Sequence, residues 1–187
     1  MLRRALALGL VAIAATAASG CGDKQATVTA GESEAIYVTL GNLQYQVQMS
    51  RQLNPVDAGD RDLLAGIAPT DASLGTEDLW FGVWVRVTNS SDSIAPTADE
   101  FKIIDTHDDE FMPLPVSGSN KLVFRTAPVL ANGGQYPYPN SAAANLPTTG
   151  AILIFKLPHS ALDYRPLELE IRSSAVPGKK ASVTLDV

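Results

Sequence analysis

The stretch LWFGVWVRVTN, Leu79 to Asn89, decides the fold. Leu79, Phe81, Val83, Val85 and Val87 alternate with Trp80, Gly82, Trp84, Arg86 and Thr88. A period of two puts successive side chains on opposite faces, so this is a β-strand with one face turned to a core. Both tryptophans of the chain lie on the other face, flanking Gly82 and roughly 13 Å apart at the rise of a pleated strand. That second face has two readings. Bare to solvent, Trp80 and Trp84 form a candidate binding platform for a sugar ring or a peptide. Covered by residues 51–78, they join a small second core with Leu63, Leu64 and Ile67, which is the commoner fate of tryptophan.

Outward from this strand the same period recurs. Ile36, Val38 and Leu40 alternate, and Leu43, Tyr45, Val47 and Met49 sit between Gln44, Gln46 and Gln48. Gly41-Asn42 between the two runs admits a tight hairpin or a bulge in one long strand. Residues 51–78 lose the pattern, with a short helical turn expected from Asp60 to Leu64. Asn89-Ser90-Ser91 formally matches a glycosylation sequon, but it opens a polar cluster and reads as a turn. Phe101–Asp105 and Glu110–Leu114 read as two strands joined across Thr106–Asp109. Residues 126–149, with Tyr136-Pro137-Tyr138-Pro139, read as a long irregular loop because proline cannot donate to a ladder. Ala151–Leu157, Leu167–Arg172 and Ala181–Val187 close the chain as strands. Seven to nine short strands and no sustained helical period predict an all-β, immunoglobulin-like antiparallel sandwich over residues 35–187.

The N-terminus reads MLRRALALGLVAIAATAASGC. Arg3 and Arg4 precede an apolar run rich in alanine, the pattern of a secretion signal spanning residues 1–20. Ala18-Ser19-Gly20 sets small residues before Cys21, the sole cysteine. This resembles the lipobox of bacterial lipoproteins, which implies acylation of Cys21 and anchoring on the extracytoplasmic face of the cell membrane. Residues 21–34 then read as the acylated cysteine and a flexible tether. Loss of the signal leaves 167 residues and takes the formal net charge from −6 to −8. An acidic exported chain is a poor partner for nucleic acid. With its one cysteine acylated it has no disulfide, so the fold rests on its hydrophobic core.

Phe81 to Leu114 carries a further resemblance. A hydrophobic strand ends in the V-x-N turn Val87-Thr88-Asn89. An F-x-L-x-D-like strand follows at Phe101, Ile103 and Asp105, then a polar turn and Phe111. The order resembles a large family of bacterial secreted lipoproteins with a single immunoglobulin-like domain. The resemblance implies fold and export; that family carries no settled biochemical function to transfer.

Motifs for chemistry are sparse. HExxH, CxxC, a glycine-rich phosphate loop and GxSxG are all missing, and the two histidines, His107 and His159, are isolated. The expectation is a protein that is not an enzyme and takes no cofactor. Asp105, Asp108, Asp109 and Glu110 are weak metal candidates, since carboxylates suit Ca²⁺ but the spacing is not that of a calcium loop. Asp57, Asp60 and Asp62, interrupted by Arg61, read as a charged surface loop. Tyr136 and Tyr138 are a second candidate for aromatic binding. The functional expectation is a binding or interaction module with a protein or envelope partner, the alternative being a structural or accessory subunit of an envelope complex or transporter.

Overall fold

The computed structural model describes residues 27–187; the signal region and Cys21 lie outside the described residues. The chain forms a two-layer antiparallel β-sandwich. Its strands are β1 (Ala30–Gly31), β2 (Tyr37–Leu40), β3 (Leu43–Leu53), β4 (Asp78–Asn89), β5 (Ala95–Pro96) and β6 (Glu100–Ile104), then β7 (Glu110–Phe111), β8 (Val129–Leu130), β9 (Gln135–Tyr136), β10 (Ala151–Pro158), β11 (Glu168–Arg172) and β12 (Lys180–Thr184). One sheet runs β10-β4-β3-β2, with β9 also on β4, and the other runs β1-β12-β11-β6-β7. The chain crosses to the second sheet between β4 and β6, returns between β7 and β9, and crosses again from β10 to β11, the connectivity of an immunoglobulin-like sandwich.

The inward face of β4 is the one its sequence predicts. Leu79, Phe81, Val83, Val85 and Val87 are buried in the central core with Tyr45, Phe101, Phe155, Leu169 and Ile171. Gly41-Asn42 makes a tight hairpin between β2 and β3, with Gly41 at φ +61°. A bulge is present as well, but within β3, between Val47 and Met49. The acceptor geometry of Tyr45 is fixed from the opposite side: the Ala98 N–H donates to its hydroxyl at 2.7 Å. Burial holds that phenol protonated well above its ordinary range.

Several boundaries differ from the sequence reading: the strand read over Ala181–Val187 stops at Thr184, and residues 126–149, read as an irregular loop, hold β8 and β9. The sandwich begins before residue 35. Ala30 and Gly31 pair in parallel with Ser182 and Val183, and the Thr39 N–H donates to the Val28 carbonyl at 2.6 Å. Backbone pairing requires no hydrophobic period, so the polar run here concealed a strand. The strand expected over Glu110–Leu114 stops at Phe111. Beyond it the chain leaves β6 and crosses to the other sheet, where the Leu114 N–H donates to the Ile154 carbonyl at 2.7 Å.

Candidate functional site

Trp80 and Trp84 are buried, 4% and 2% exposed, so the candidate platform is covered and is not a binding surface. They form a second core with Leu53, Leu63, Val123, Ile152 and Ile154, flanked by Leu64, Ile67 and Leu74. The cover has two parts. Residues 54–77 bring a helix, α1 (Ala58–Leu64), over the sheet. Residues 112–123 lie against it: Asn120 Nδ2 donates to the carbonyls of Leu63 and Ala65, both at 2.8 Å. Burying an indole removes some 200 Å² from water, about 5 kcal/mol gross before ordering costs, which is why the loops close over this face.

The carboxylates of α1 serve that cover. Asp57 caps the helix by accepting from the Gly59 N–H at 2.8 Å. Asp60, read from sequence as part of a charged surface loop, is buried instead. It takes a two-pronged contact from Arg51 at 2.5 and 2.9 Å and accepts from the Asn54 N–H at 2.8 Å. The Arg51 hydrogen bond holds its carboxyl below the usual carboxylate range. The Arg51 guanidinium also sits 5.2 Å from the centre of the Trp84 ring.

The acidic turn is also structural. Asp105 is buried, and its Oδ1 accepts from the N–H groups of His107 (2.8 Å) and Asp109 (3.0 Å), while its Oδ2 is buried without a partner. Glu110 turns away to Lys102 at 2.5 Å. Asp108 and Asp109 are exposed. Among the described residues no three His, Cys, Asp or Glu side chains converge as a metal site. His107 stacks on Tyr164 with ring centres 3.8 Å apart. His159 is exposed at the far end of β10.

One feature absent from the sequence reading lies on the outer face of the β1-containing sheet. Glu170 is buried there among Arg172 (2.6 Å), Lys180 (2.6 Å) and Lys102 (3.3 Å). Burial pushes its carboxyl up, but hydrogen bonds from Arg172, Lys180 and Lys102 outweigh that and pull it down to about 2. Three neighbouring strands supply these groups, so only register reveals the cluster.

Tyr136 and Tyr138 remain as the aromatic candidates, and the structure gives them different roles. Tyr136 is buried, and its hydroxyl accepts from the Arg125 N–H at 2.9 Å. Tyr138 is 49% exposed. A relay of edge-to-face rings links core to surface: Phe101 to Phe124 at 5.0 Å, Phe124 to Tyr136 at 5.0 Å, Tyr136 to Tyr138 at 5.4 Å. Tyr138 stands at the edge of a cleft of about 430 Å³ whose walls include Val123, Pro128, Tyr136 and Ala143. Its charged lining groups are Lys121 and Arg125, and it holds no carboxylate. The Arg125 guanidinium is turned to the carbonyls of Val116, Ser117 and Asn120, which fixes the rim of the cleft.

No family model matches the chain, and no curated protein matches it. Among solved structures it is similar to the yjhA protein of Bacillus subtilis, with 11% identity and a TM-score of 0.45 over 83% of this chain and 99% of that one. It is also similar to ycdA of Bacillus subtilis subsp. subtilis str. 168, a proposed lipoprotein, with 14% identity and a TM-score of 0.47 over 82% of this chain and 38% of that one. A third is an uncharacterized β-sandwich protein, CD630_09570, of Clostridium difficile 630, with 6% identity and a TM-score of 0.41 over 83% of this chain and 95% of that one.

Proposed function

We propose that the chain is a lipid-anchored, extracytoplasmic binding module whose ligand-facing surface is the Tyr138 cleft. The carrying observation is the ring relay, which presents one half-exposed tyrosine over an apolar hollow on a rigid backing. Such a hollow, with a few convergent polar groups, is the usual form of a small binding site. The anchor rests on the placement of Cys21 after Ala18-Ser19-Gly20. No catalytic set accompanies the cleft, so binding without chemistry is the reading it supports.

Two measurements test this. Metabolic labelling with a palmitate analogue is expected to mark the protein and to be lost in Cys21→Ala; a labelled variant would overturn the anchor. Capture from detergent-solubilised envelope is expected to recover a partner with the native protein and at least tenfold less with Tyr138→Ala, a loss of about 1.4 kcal/mol or more. Undiminished capture by that variant would remove the cleft from the proposal. A stoichiometric complex independent of Tyr138 would favour the accessory-subunit reading.

A further inference from the structure

We propose that the end of the sandwich bearing the Gly41–Asn42 turn is a bilayer-resting face, an inference that rests on Cys21 being the acyl anchor. Strand direction locates the attachment. The Thr29 carbonyl accepts from the Ser182 N–H and the Val28 carbonyl from the Thr39 N–H. Because β1 runs parallel to β12, Thr27 lies towards the end where β12 begins and β2 turns into β3. From Cys21 to Thr27 the chain spans at most about 20 Å. β3 alone, Leu43–Leu53, is about 35 Å long. The opposite end therefore lies beyond the reach of the link unless the domain tips over, and the Gly41 end stays beside the lipid.

The chemistry of this end fits that position. β5 and β8 form a two-stranded ladder there, with Ala95 opposite Leu130 and Pro96 opposite Val129. Alternation turns Leu130 into the core and Ile94, Pro96 and Val129 outward. Ile94 is 71% exposed and Val129 57% exposed. Beside them Val176 packs over Gly41 at the wall of a hollow of about 330 Å³. Aliphatic side chains suit shallow insertion at the headgroup boundary, and the cations where β12 begins, Arg172 and Lys180, are tied to Glu170. Charge is distributed in the same sense. This end holds Asp92, Asp99 and Glu100 against Arg172, Lys179 and Lys180, whereas the loops of the far end are net acidic, with Glu77, Asp108, Asp109, Asp163 and Asp186 against Arg165. An inverted domain would press that acidic end against anionic headgroups.

The test uses the full lipidated protein reconstituted into protein-free phosphatidylcholine vesicles. Acylation consumes the Cys21 thiol, so a cysteine introduced as Ile94→Cys or, at the far end, Asp163→Cys takes a single environment-sensitive fluorophore. The Ile94→Cys probe is expected to emit at shorter wavelength and to be quenched by aqueous iodide about threefold less than the Asp163→Cys probe. Adding Val129→Asp is expected to erase that difference. Equal quenching at both positions in a palmitate-labelled protein overturns the docking alone. A protein that takes no palmitate label overturns anchor and docking together. Protection at Ile94→Cys in native envelope but not in pure lipid also overturns it and assigns the face to a protein partner.

Discussion

Gly82 lies at the floor of the second core, against Ile152, Trp84 and Leu53. A Cβ built there would lie 2.7 Å from Ile152 Cδ1, 3.1 Å from the Trp84 ring and 3.2 Å from Leu53 Cδ2. The Trp84 ring can lie over Gly82 because no side chain stands there. Gly82→Ala is expected to destabilise the protein by about 1–3 kcal/mol, read as a lower urea midpoint at unchanged slope; an unaltered midpoint would show that the indoles yield. Glu170 makes a pH-dependent contribution. Its folded-state carboxyl lies at about 2, below its ordinary 4.5. The stabilisation is therefore complete above pH 4.5 and is lost as pH falls from there towards 2. Water around the half-exposed Lys180 and Arg172 limits it to about 2 kcal/mol. Glu170→Gln is expected to destabilise the protein at pH 7 by that order and to flatten the acid limb of urea stability between pH 5 and 2. A parallel acid limb in the variant would assign the pH dependence elsewhere.

At the level of elements, α1 is held by an ion pair between the buried Asp60 and the partly exposed Arg51. Helices of seven residues are not stable alone, so its persistence comes from docking. Asp60→Asn removes the charge that holds Arg51 and weakens the acceptor of the Asn54 N–H. The expected result is a loss of about 2 kcal/mol together with faster amide exchange confined to residues 54–67 and rising tryptophan fluorescence quenching; exchange unchanged in that segment would mean that Leu63 alone holds the helix. Those elements were legible to unequal degrees. The β4 strand follows from local periodicity; at Gly41-Asn42 the sequence left hairpin and bulge open, and of α1 it marked a helical turn at Asp60–Leu64 with Leu63, Leu64 and Ile67 as its apolar contacts. β1 gave no such signal, because two residues pairing through their backbone leave no side-chain pattern. Nor did the Glu170 cluster, whose members sit on β6, β11 and β12 and become neighbours only through register. For the tyrosines, sequence marked both residues but could not divide them into a buried support and an exposed tip. That division comes from Phe124 and Arg125, which arrive on a different segment.

For the whole molecule, the two sheets have unequal outer faces. The β4 sheet is roofed by residues 54–77 and 112–123, and the same cover shields β10, whose free edge is occupied by hydrogen bonds from Leu114 and Phe124. Covering an edge removes a template for aggregation with other copies. Among the described residues the β11 sheet has no such roof, and its outer face carries the charge cluster around Glu170. The groups proposed to act lie away from the long core strands: Tyr138 and Ile94 on loops and Val129 on the two-residue β8.

The parallel pairing of β1 with β12 has a mechanical consequence. If a ligand held by the domain is pulled away from the membrane, tension enters through residues 22–26 and runs along the strand axis. The bonds at Val28, Thr29 and the β1 ladder then lie across the load and must shear together instead of parting one after another. On the proposed anchor, the first strand would fasten the lipid to the last strand of the fold, so that a tug from the membrane would be borne by the sandwich as a unit.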